Sequence, residues 1–208
     1  TQGVSSAASD VYKRQRRTHL MSTLGTLAPA ADTELFADTL SCELRLPAGF
    51  HVTADPGSHA TAETLLRSLG QVEDLRSEDS SEERGELPLL VQRMDAKLDL
   101  ILALIGRLVR QSDTRLALGT VHWSVRGIRL ASPHAHPPGT TGSVLLQPSD
   151  WLPELLQLPA DVLASASDGQ QHWLWLRFAP LGTGLQDALE RHLFRLHRRQ
   201  IADARRQR

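Results

Sequence analysis

The sequence predicts an α+β protein: a small six-stranded antiparallel β-barrel with an inserted two-helix hairpin and a C-terminal helix. Three observations carry this prediction. Six short segments have strand-like apolar patterns with turn residues between them, and six strands are typical of a small antiparallel barrel. Residues 87–108 repeat apolar side chains at gaps of three and four, as a coiled-coil seam does. Residues 183–206 carry leucines at helical spacing after the last predicted strand.

The first 20 residues differ from the rest of the chain. The hexapeptide DVYKRQ, Asp10–Gln15, resembles an in-frame translation of the end of a transposon-based sequencing adaptor. We therefore expect residues 1–20 to be a sequencing artefact, with a basic leader as the alternative, and Met21 to be the start. Residues 21–36 are small and polar and are expected to form a disordered tail. A single domain is expected over residues 37–206.

Charge and cysteine content exclude several classes of protein. Residues 1–20 hold four basic residues and one acidic residue, so 19 Lys and Arg face 23 Asp and Glu from Met21 onward. Such a chain has no overall attraction for nucleic acid or anionic lipid. The single Cys42 excludes an internal disulfide and a multi-cysteine metal cage, and its strand pattern predicts a packed thiol. No apolar run is long enough for membrane insertion, so we expect a cytoplasmic protein.

The N-terminal half predicts one strand followed by the inserted hairpin over residues 61–111. The segment TLSCELRL, Thr39–Leu46, alternates apolar and polar residues as a half-buried strand does. The following PAGFHVTADPGS is expected to break regular structure. Thr61 is a plausible cap for a first helix, whose apolar stripe continues to about Arg76. An acidic connection then leads into the second, longer helix of the hairpin.

The longer helix contains the stretch LVQRMDAKLDLILALIGRLVRQ, residues 90–111. Its apolar residues follow a strict heptad spacing, and further leucines beside the seam widen it, which favours more than two helices. The alternative is that this helix buries its broad face on its own domain, as amphipathic helices commonly do. We favour self-association and expect a homo-tetramer. The predicted seam consists of Leu87, Val91, Met94, Leu98, Ile101, Leu102, Leu104, Ile105 and Leu108.

The C-terminal half, residues 114–206, predicts the barrel core and the terminal helix. RLALGTVHWSVRGIRLAS gives two strands around a turn, and TGSVLLQP, LPADVLASAS and QHWLWLRFAPL give three more. In the last strand, Trp173 and Trp175 are expected to face one side while His172, Leu174, Leu176 and Phe178 face the other.

One motif gives a resemblance to a known family. HWSVRGIRL, His122–Leu130, resembles the second signature of PilZ domains, the bacterial receptors for cyclic di-GMP. That signature has Asp or Asn, any residue, Ser, two residues and Gly before an apolar strand. Ser124 and Gly127 match it, whereas His122 replaces the acidic or amide residue. Over residues 37–206 the chain is similar to the atypical or tetrameric PilZ subfamily, in which a long inserted helix with heptads drives tetramerisation. MDAKLDLILALIGRLV and LERHLFRLHRRQIADARR carry this similarity.

The chain departs from the PilZ pattern where the ligand would be held. Dinucleotide-binding PilZ domains have an RxxxR stretch just before the first strand, and its guanidinium groups grip phosphate and stack on guanine. No Arg lies between Arg17 and the first predicted strand, and the RxxxR spacings of this chain lie within residues 191–199 of the terminal helix. A neutral His122 does not reproduce a carboxylate. The remaining ligand-binding candidates are His122, Ser124, Arg126 and Gly127.

The sequence carries no catalytic signature, so we expect neither an enzyme nor a resident cofactor. Ser124 lacks the Gly-x-Ser-x-Gly frame, and His134 and His136 lack a third metal ligand nearby. The favoured function is a signalling scaffold that binds an unknown protein partner. The alternative is a genuine cyclic di-GMP receptor. A nucleic-acid binder using the Arg-rich terminal helix is the third class, which the net charge disfavours. We interpret the seven Arg from 191 to 208 as a solvated face, with an acidic or phosphate-bearing partner as the other interpretation.

Overall fold

The computed structural model describes residues 25–53, 57–78, 94, 98, 116–149, 151–152 and 154–206. Within these residues the chain folds as a β-barrel with helices packed on it, which confirms the predicted fold class. The elements in chain order are α1 Pro29–Phe36, β1 Ser41–His51, α2 His59–Glu78, β2 Leu118–Ser124, β3 Gly127–Ser132, β4 Thr141–Leu146, β5 Leu156–Ser167, β6 His172–Phe178 and α3 Thr183–Arg206.

The six strands close into an antiparallel barrel in the order β1-β2-β3-β6-β5-β4. Strand β1 closes the barrel, because it pairs with β2 from Ser41 to Pro47 and with β4 from Ala48 to His51. The expectation that regular structure breaks at Pro47 is therefore wrong. Proline lacks an N–H for a ladder, and it is tolerated here where the strand exchanges one neighbour for the other.

The barrel interior forms the main hydrophobic core, and the two long helices cover it. Strand residues such as Trp123, Leu158 and Leu176 are fully buried there, together with Leu66 of α2 and Leu189 of α3. Burial of this apolar surface is the dominant stabilising term for a domain of this size. Strand β6 divides its side chains as predicted. Leu174, Leu176 and Phe178 join the main core, while Trp173 and Trp175 form a second cluster outside the barrel.

The second cluster is completed by α1, which corrects the predicted disordered tail over residues 21–36. Residues 29–36 are helical, with Pro29 in the first turn, where its missing N–H costs nothing. Ala31 and Leu35 pack against Trp173 and Trp175 on the outer face of β6. The sequence did not predict α1 because its apolar residues stand in two adjacent pairs, Ala30 with Ala31 and Leu35 with Phe36, which give no extended helical stripe. The tryptophans that cover Ala31 and Leu35 come from a strand far along the chain.

The inserted hairpin is described in part. Helix α2 begins at His59, two residues before the predicted start, and continues to Glu78. In the longer helix, Met94 and Leu98 are described; both are helical, and they are 59% and 55% exposed in a single chain. The other seam residues, Leu87, Val91, Ile101, Leu102, Leu104, Ile105 and Leu108, lie outside the described residues, as do residues 1–20.

Candidate functional site: a family motif covered by the N-terminal helix

The four candidate ligand residues lie together at one end of the barrel. His122 and Ser124 are on β2, Arg126 is in the turn, and Gly127 begins β3. They are close in sequence, and the β2–β3 turn keeps them close in space. Their surroundings are new, because the C-terminal end of α1 lies directly against the turn.

Ser124 is fully buried and bonds both the turn and α1. Its hydroxyl donates to the backbone carbonyl oxygen of Leu35 at 2.7 Å. The same oxygen accepts the backbone N–H groups of Arg126 at 3.1 Å and Gly127 at 3.3 Å. A buried hydroxyl must be hydrogen-bonded to offset its lost hydration, and here the protein itself meets that need. Ser124 therefore holds the turn and joins it to α1.

Arg126 caps the end of α1. Its Nη1 donates to the carbonyl oxygen of Glu34 at 3.2 Å and to that of Ala37 at 3.0 Å. Carbonyl groups in the last turn of a helix have no partner within the helix and carry its partial negative charge. A guanidinium at this place satisfies the carbonyl groups and complements the helix dipole. The side chain that could have reached a phosphate is thus bonded to the chain's own backbone.

Gly127 is required by close packing. A Cβ atom built at this position would overlap the carbonyl oxygen of Leu176 on β6 and lie 2.8 Å from Cδ2 of Leu35. The absence of a side chain lets β6 and α1 approach β3 at this point. The two residues that match the PilZ signature, Ser124 and Gly127, therefore have structural roles in this chain without any ligand.

His122 is stacked beneath α1 and stays neutral. Its ring lies 3.8 Å from the ring of Phe36, centroid to centroid, and Nε2 is 3.1 Å from the Ser41 hydroxyl. Burial, and then the positive charge of Arg129, lower the pKa of His122 to about 4, against a weaker opposing effect of Asp32. A neutral imidazole in this place supplies no charge to a ligand.

The charged residues that attach α1 to β3 and β6 were not identified from the sequence. The side chain of Arg129 is 3% exposed, and its Nη1 donates to Oδ1 of Asp32 at 2.5 Å. The indole N–H of Trp175 donates to the same oxygen at 3.0 Å. Arg177 pairs with Glu34 at 3.1 Å between exposed side chains. Arg129 on β3 and Trp175 on β6 are direct partners in the strand ladder. A prediction of this strand pairing would have placed the two residues together. Asp32 was not considered, because residues 21–36 were expected to form a disordered tail.

The arrangement is a face with three arginines whose hydrogen-bond and ion-pair partners lie on or next to α1. Arg126, Arg129 and Arg177 all point at α1, which supplies backbone carbonyls to the first and carboxylates to the other two. In the part of the chain that the structure describes, no group of three or more His, Cys, Asp or Glu side chains could hold a metal ion. Among the same residues, no helix is both long and apolar enough to cross a membrane.

A search of curated proteins gave no match. Two solved structures are similar at low level. The Bacillus subtilis inhibitor of motility MotI/DgrA is 18% identical over 41% of this chain and 43% of its own, with a TM-score of 0.33. The PilZ domain of YcgR from Escherichia coli, solved with c-di-GMP, is 18% identical over 45% of this chain and 81% of its own, with a TM-score of 0.34.

One solved structure is far more similar. A pathogenic protein from Xanthomonas campestris, described as a new tetrameric PilZ domain self-assembled via an unusual helical bundle, is 97% identical. The match covers 86% of this chain and 99% of that one, with a TM-score of 0.73. The family model for the atypical PilZ domain, described as a cyclic di-GMP receptor, matches residues 66–206. The chain therefore belongs to the atypical PilZ domain family.

Proposed function

We propose that this chain is a non-enzymatic bacterial signalling scaffold of the PilZ type. In this proposal it is cytoplasmic, assembles as a homo-tetramer through its long inserted helix, and acts by binding a protein partner in cyclic di-GMP-linked processes. Neither a catalytic group nor a cofactor takes part. Tetramerisation would present four copies of one partner surface, which raises avidity without any new contact.

A single observation carries the choice of scaffold over dinucleotide receptor. Ser124 and Arg126, the two polar motif residues, are bonded to the carbonyl oxygens of Leu35, Glu34 and Ala37. A dinucleotide at this face would have to displace α1, break these bonds and expose Leu35. The RxxxR stretch that would repay this cost with phosphate contacts is missing ahead of β1.

Two observations support the tetramer. Met94 and Leu98 are more than half exposed in the single chain although both belong to the predicted seam. Apolar residues that recur on one exposed helix face mark an association surface. The 97% identical protein is described as a tetrameric PilZ domain self-assembled via a helical bundle.

A genuine cyclic di-GMP receptor is the second candidate, and one observation favours it. Arg126, Arg129 and Arg177 lie on one face with Trp175, beneath α1. If α1 detached, this face would offer three guanidinium groups for phosphate and an indole for stacking on a base. The receptor would then bind through His122–Gly127 and these arginines.

Calorimetry with cyclic di-GMP on the full chain separates the two candidates. For a scaffold we expect no binding tighter than about 100 μM, or roughly 5.5 kcal/mol. Micromolar affinity that disappears in Arg126→Ala would reject the scaffold and establish the receptor. Arg67→Ala is a matched control, since Arg67 is an exposed arginine on α2 that pairs only with Glu63 of its own helix among the described residues.

A further inference from the structure

Helix α3 carries a stripe of exposed residues that the barrel does not use. Five positions separated by three and four residues lie on one side of the helix, with arginine alternating with a large apolar residue. Phe194 is 54% exposed and Ile201 is 41% exposed. The α3 stripe consists of Arg191, Phe194, Arg198, Ile201 and Arg205, all of them exposed.

This stripe is distinct from the faces of α3 that bind its own domain. Leu185, Leu189, Leu193 and Leu196 are buried in the core. Two other residues of α3, Arg195 and Arg199, contact α2. They pair with Glu73 of that helix at 3.3 Å and 3.0 Å. By contrast, none of the three stripe arginines has an ion pair with any residue that the structure describes. Their charges are thus available to a partner.

The stripe borders a groove that could receive a side chain. A cavity of about 670 Å³ lies between α3, the segment before β1 and the β2–β3 turn. Phe194 and Leu193 of α3 line it with Leu40 and Val125. The groove thus has an apolar part, with Arg191 and Arg198 at its α3 side, and Asp38, Asp74 and Glu190 also line it. Aromatic side chains and arginines are enriched among the residues that contribute most to binding at protein interfaces.

We infer that the α3 stripe is the docking surface for an acidic amphipathic helix of a partner protein. This inference rests on the proposed scaffold function and names the surface on which it acts. The partner would insert large apolar side chains between Phe194 and Ile201 and beside the groove. Its carboxylates would pair with the stripe arginines, whose planar guanidinium groups bind carboxylates in a bidentate way.

The spacing of the stripe defines the partner's pattern. Arg191, Arg198 and Arg205 are seven residues apart, and so are Phe194 and Ile201. Seven residues are two helical turns, about 10.5 Å along the axis. A helix lying alongside α3 must therefore repeat its carboxylates every seven residues, with large apolar residues between them at gaps of three and four.

Other occupants fit the stripe less well. A second copy of α3 would bring six stripe arginines together without a single stripe carboxylate, and like charges in contact are unfavourable. A bilayer would need a broad apolar face, whereas this surface has two large apolar residues and a concave groove. A nucleic-acid backbone would offer phosphates to the arginines but no large apolar side chain to cover Phe194 and Ile201, which are 54% and 41% exposed.

Two synthetic helical peptides of about 21 residues, three heptads, test the inference on the full-length protein. Both carry Leu at the apolar positions; one has Glu and the other Lys at the positions that would face arginine. Fluorescence anisotropy should show binding of the Glu peptide and a loss of about tenfold or more in Phe194→Ala and in Arg198→Glu. Arg206→Glu, an exposed control on the same helix but outside the stripe, should change affinity less than about twofold.

Three results with these peptides would contradict the proposed docking surface. Equal binding of both peptides, no binding of either, or insensitivity to Phe194→Ala and Arg198→Glu would each reject the docking surface. Binding to phosphatidylglycerol vesicles in place of the Glu peptide would reject it in favour of a membrane surface. The scaffold proposal fails separately, by micromolar cyclic di-GMP binding in calorimetry. A failed peptide with no dinucleotide binding therefore rejects only the α3 stripe.

Discussion

At the scale of single residues, hydrogen bonding and packing within this chain explain why Ser124 and Gly127 stand in the PilZ-like motif. Ser124 closes the β2–β3 turn and holds Leu35 of α1, and Gly127 leaves room for the Leu176 carbonyl. Ser and Gly at this spacing could therefore be kept for the turn alone. The nearby guanidinium of Arg126 is bonded to the carbonyl oxygens of Glu34 and Ala37.

The packing role of Gly127 predicts a measurable loss of stability. Gly127→Ala places a Cβ atom against the Leu176 carbonyl, and overpacking of this kind costs about 1–3 kcal/mol. Gly119→Ala on β2 is a matched control, because a Cβ atom there meets nothing within 4 Å. Urea unfolding of the two variants should show the loss in the first alone. Equal stability of both would contradict the packing role.

Two buried histidines predict a dependence of stability on pH. Burial, followed by Arg195 and Arg199, lowers the pKa of His192 to about 3, and that of His122 is lowered to about 4. In the unfolded chain both return to about 6.5, so the unfolded state binds more protons below that pH. Stability is therefore fully present above pH 6.5 and falls as the pH is lowered from 6.5 towards 4.

His192→Leu isolates one of these contributions. Neither ring nitrogen of His192 has a hydrogen-bond partner among the described residues, so leucine removes the titration without removing a hydrogen bond. We expect the slope of the unfolding free energy to fall by about 1.4 kcal/mol per pH unit between pH 6 and about 4. Chemical unfolding at several pH values measures the slope. An unchanged slope would show that His192 does not take up the proton.

At the scale of elements, the sequence predicted the strands and missed the helix that covers the site. Apolar patterning between turn residues located all six strands, and alternation within β6 assigned its two faces correctly, because both are local signals. The prediction failed for β1 beyond Pro47, where pairing changes from β2 to β4, and for α1, whose contacts lie on β6. Both features depend on neighbours distant in sequence. The candidate residues were grouped correctly, but their partners on α1 could not be known.

Among the contacts that attach α1, the ion pair between Asp32 and Arg129 contains the more deeply buried charge. Asp32→Ala would leave the guanidinium of Arg129, 3% exposed, without its carboxylate and remove the acceptor of the Trp175 indole N–H. Breaking such a pair costs about 3 kcal/mol. Glu34→Ala breaks a pair with Arg177 in which both side chains are about half exposed, so it should cost less than about 1 kcal/mol. Thermal or urea unfolding compares the two; similar losses would contradict the proposed attachment.

At the scale of the whole molecule, the chain has one surface covered by its own helix and another that is apolar and exposed. The His122–Gly127 motif is covered by α1, and Met94 and Leu98 are exposed in a single chain. In the proposed scaffold function, several assembled copies present one partner surface repeatedly. That proposal therefore depends on assembly.

Light scattering after gel filtration measures the oligomeric state of the full chain. The molar mass measured for the full chain should be that of four copies. Leu98→Asp should split the assembly, because an unpaired charge buried in the seam costs several kcal/mol. Leu118→Asp is the matched control, since Leu118 is 58% exposed and Leu98 is 55% exposed in the single chain, and it should leave the tetramer intact. A clean monomer of the unmodified chain at micromolar concentration would contradict the scaffold account.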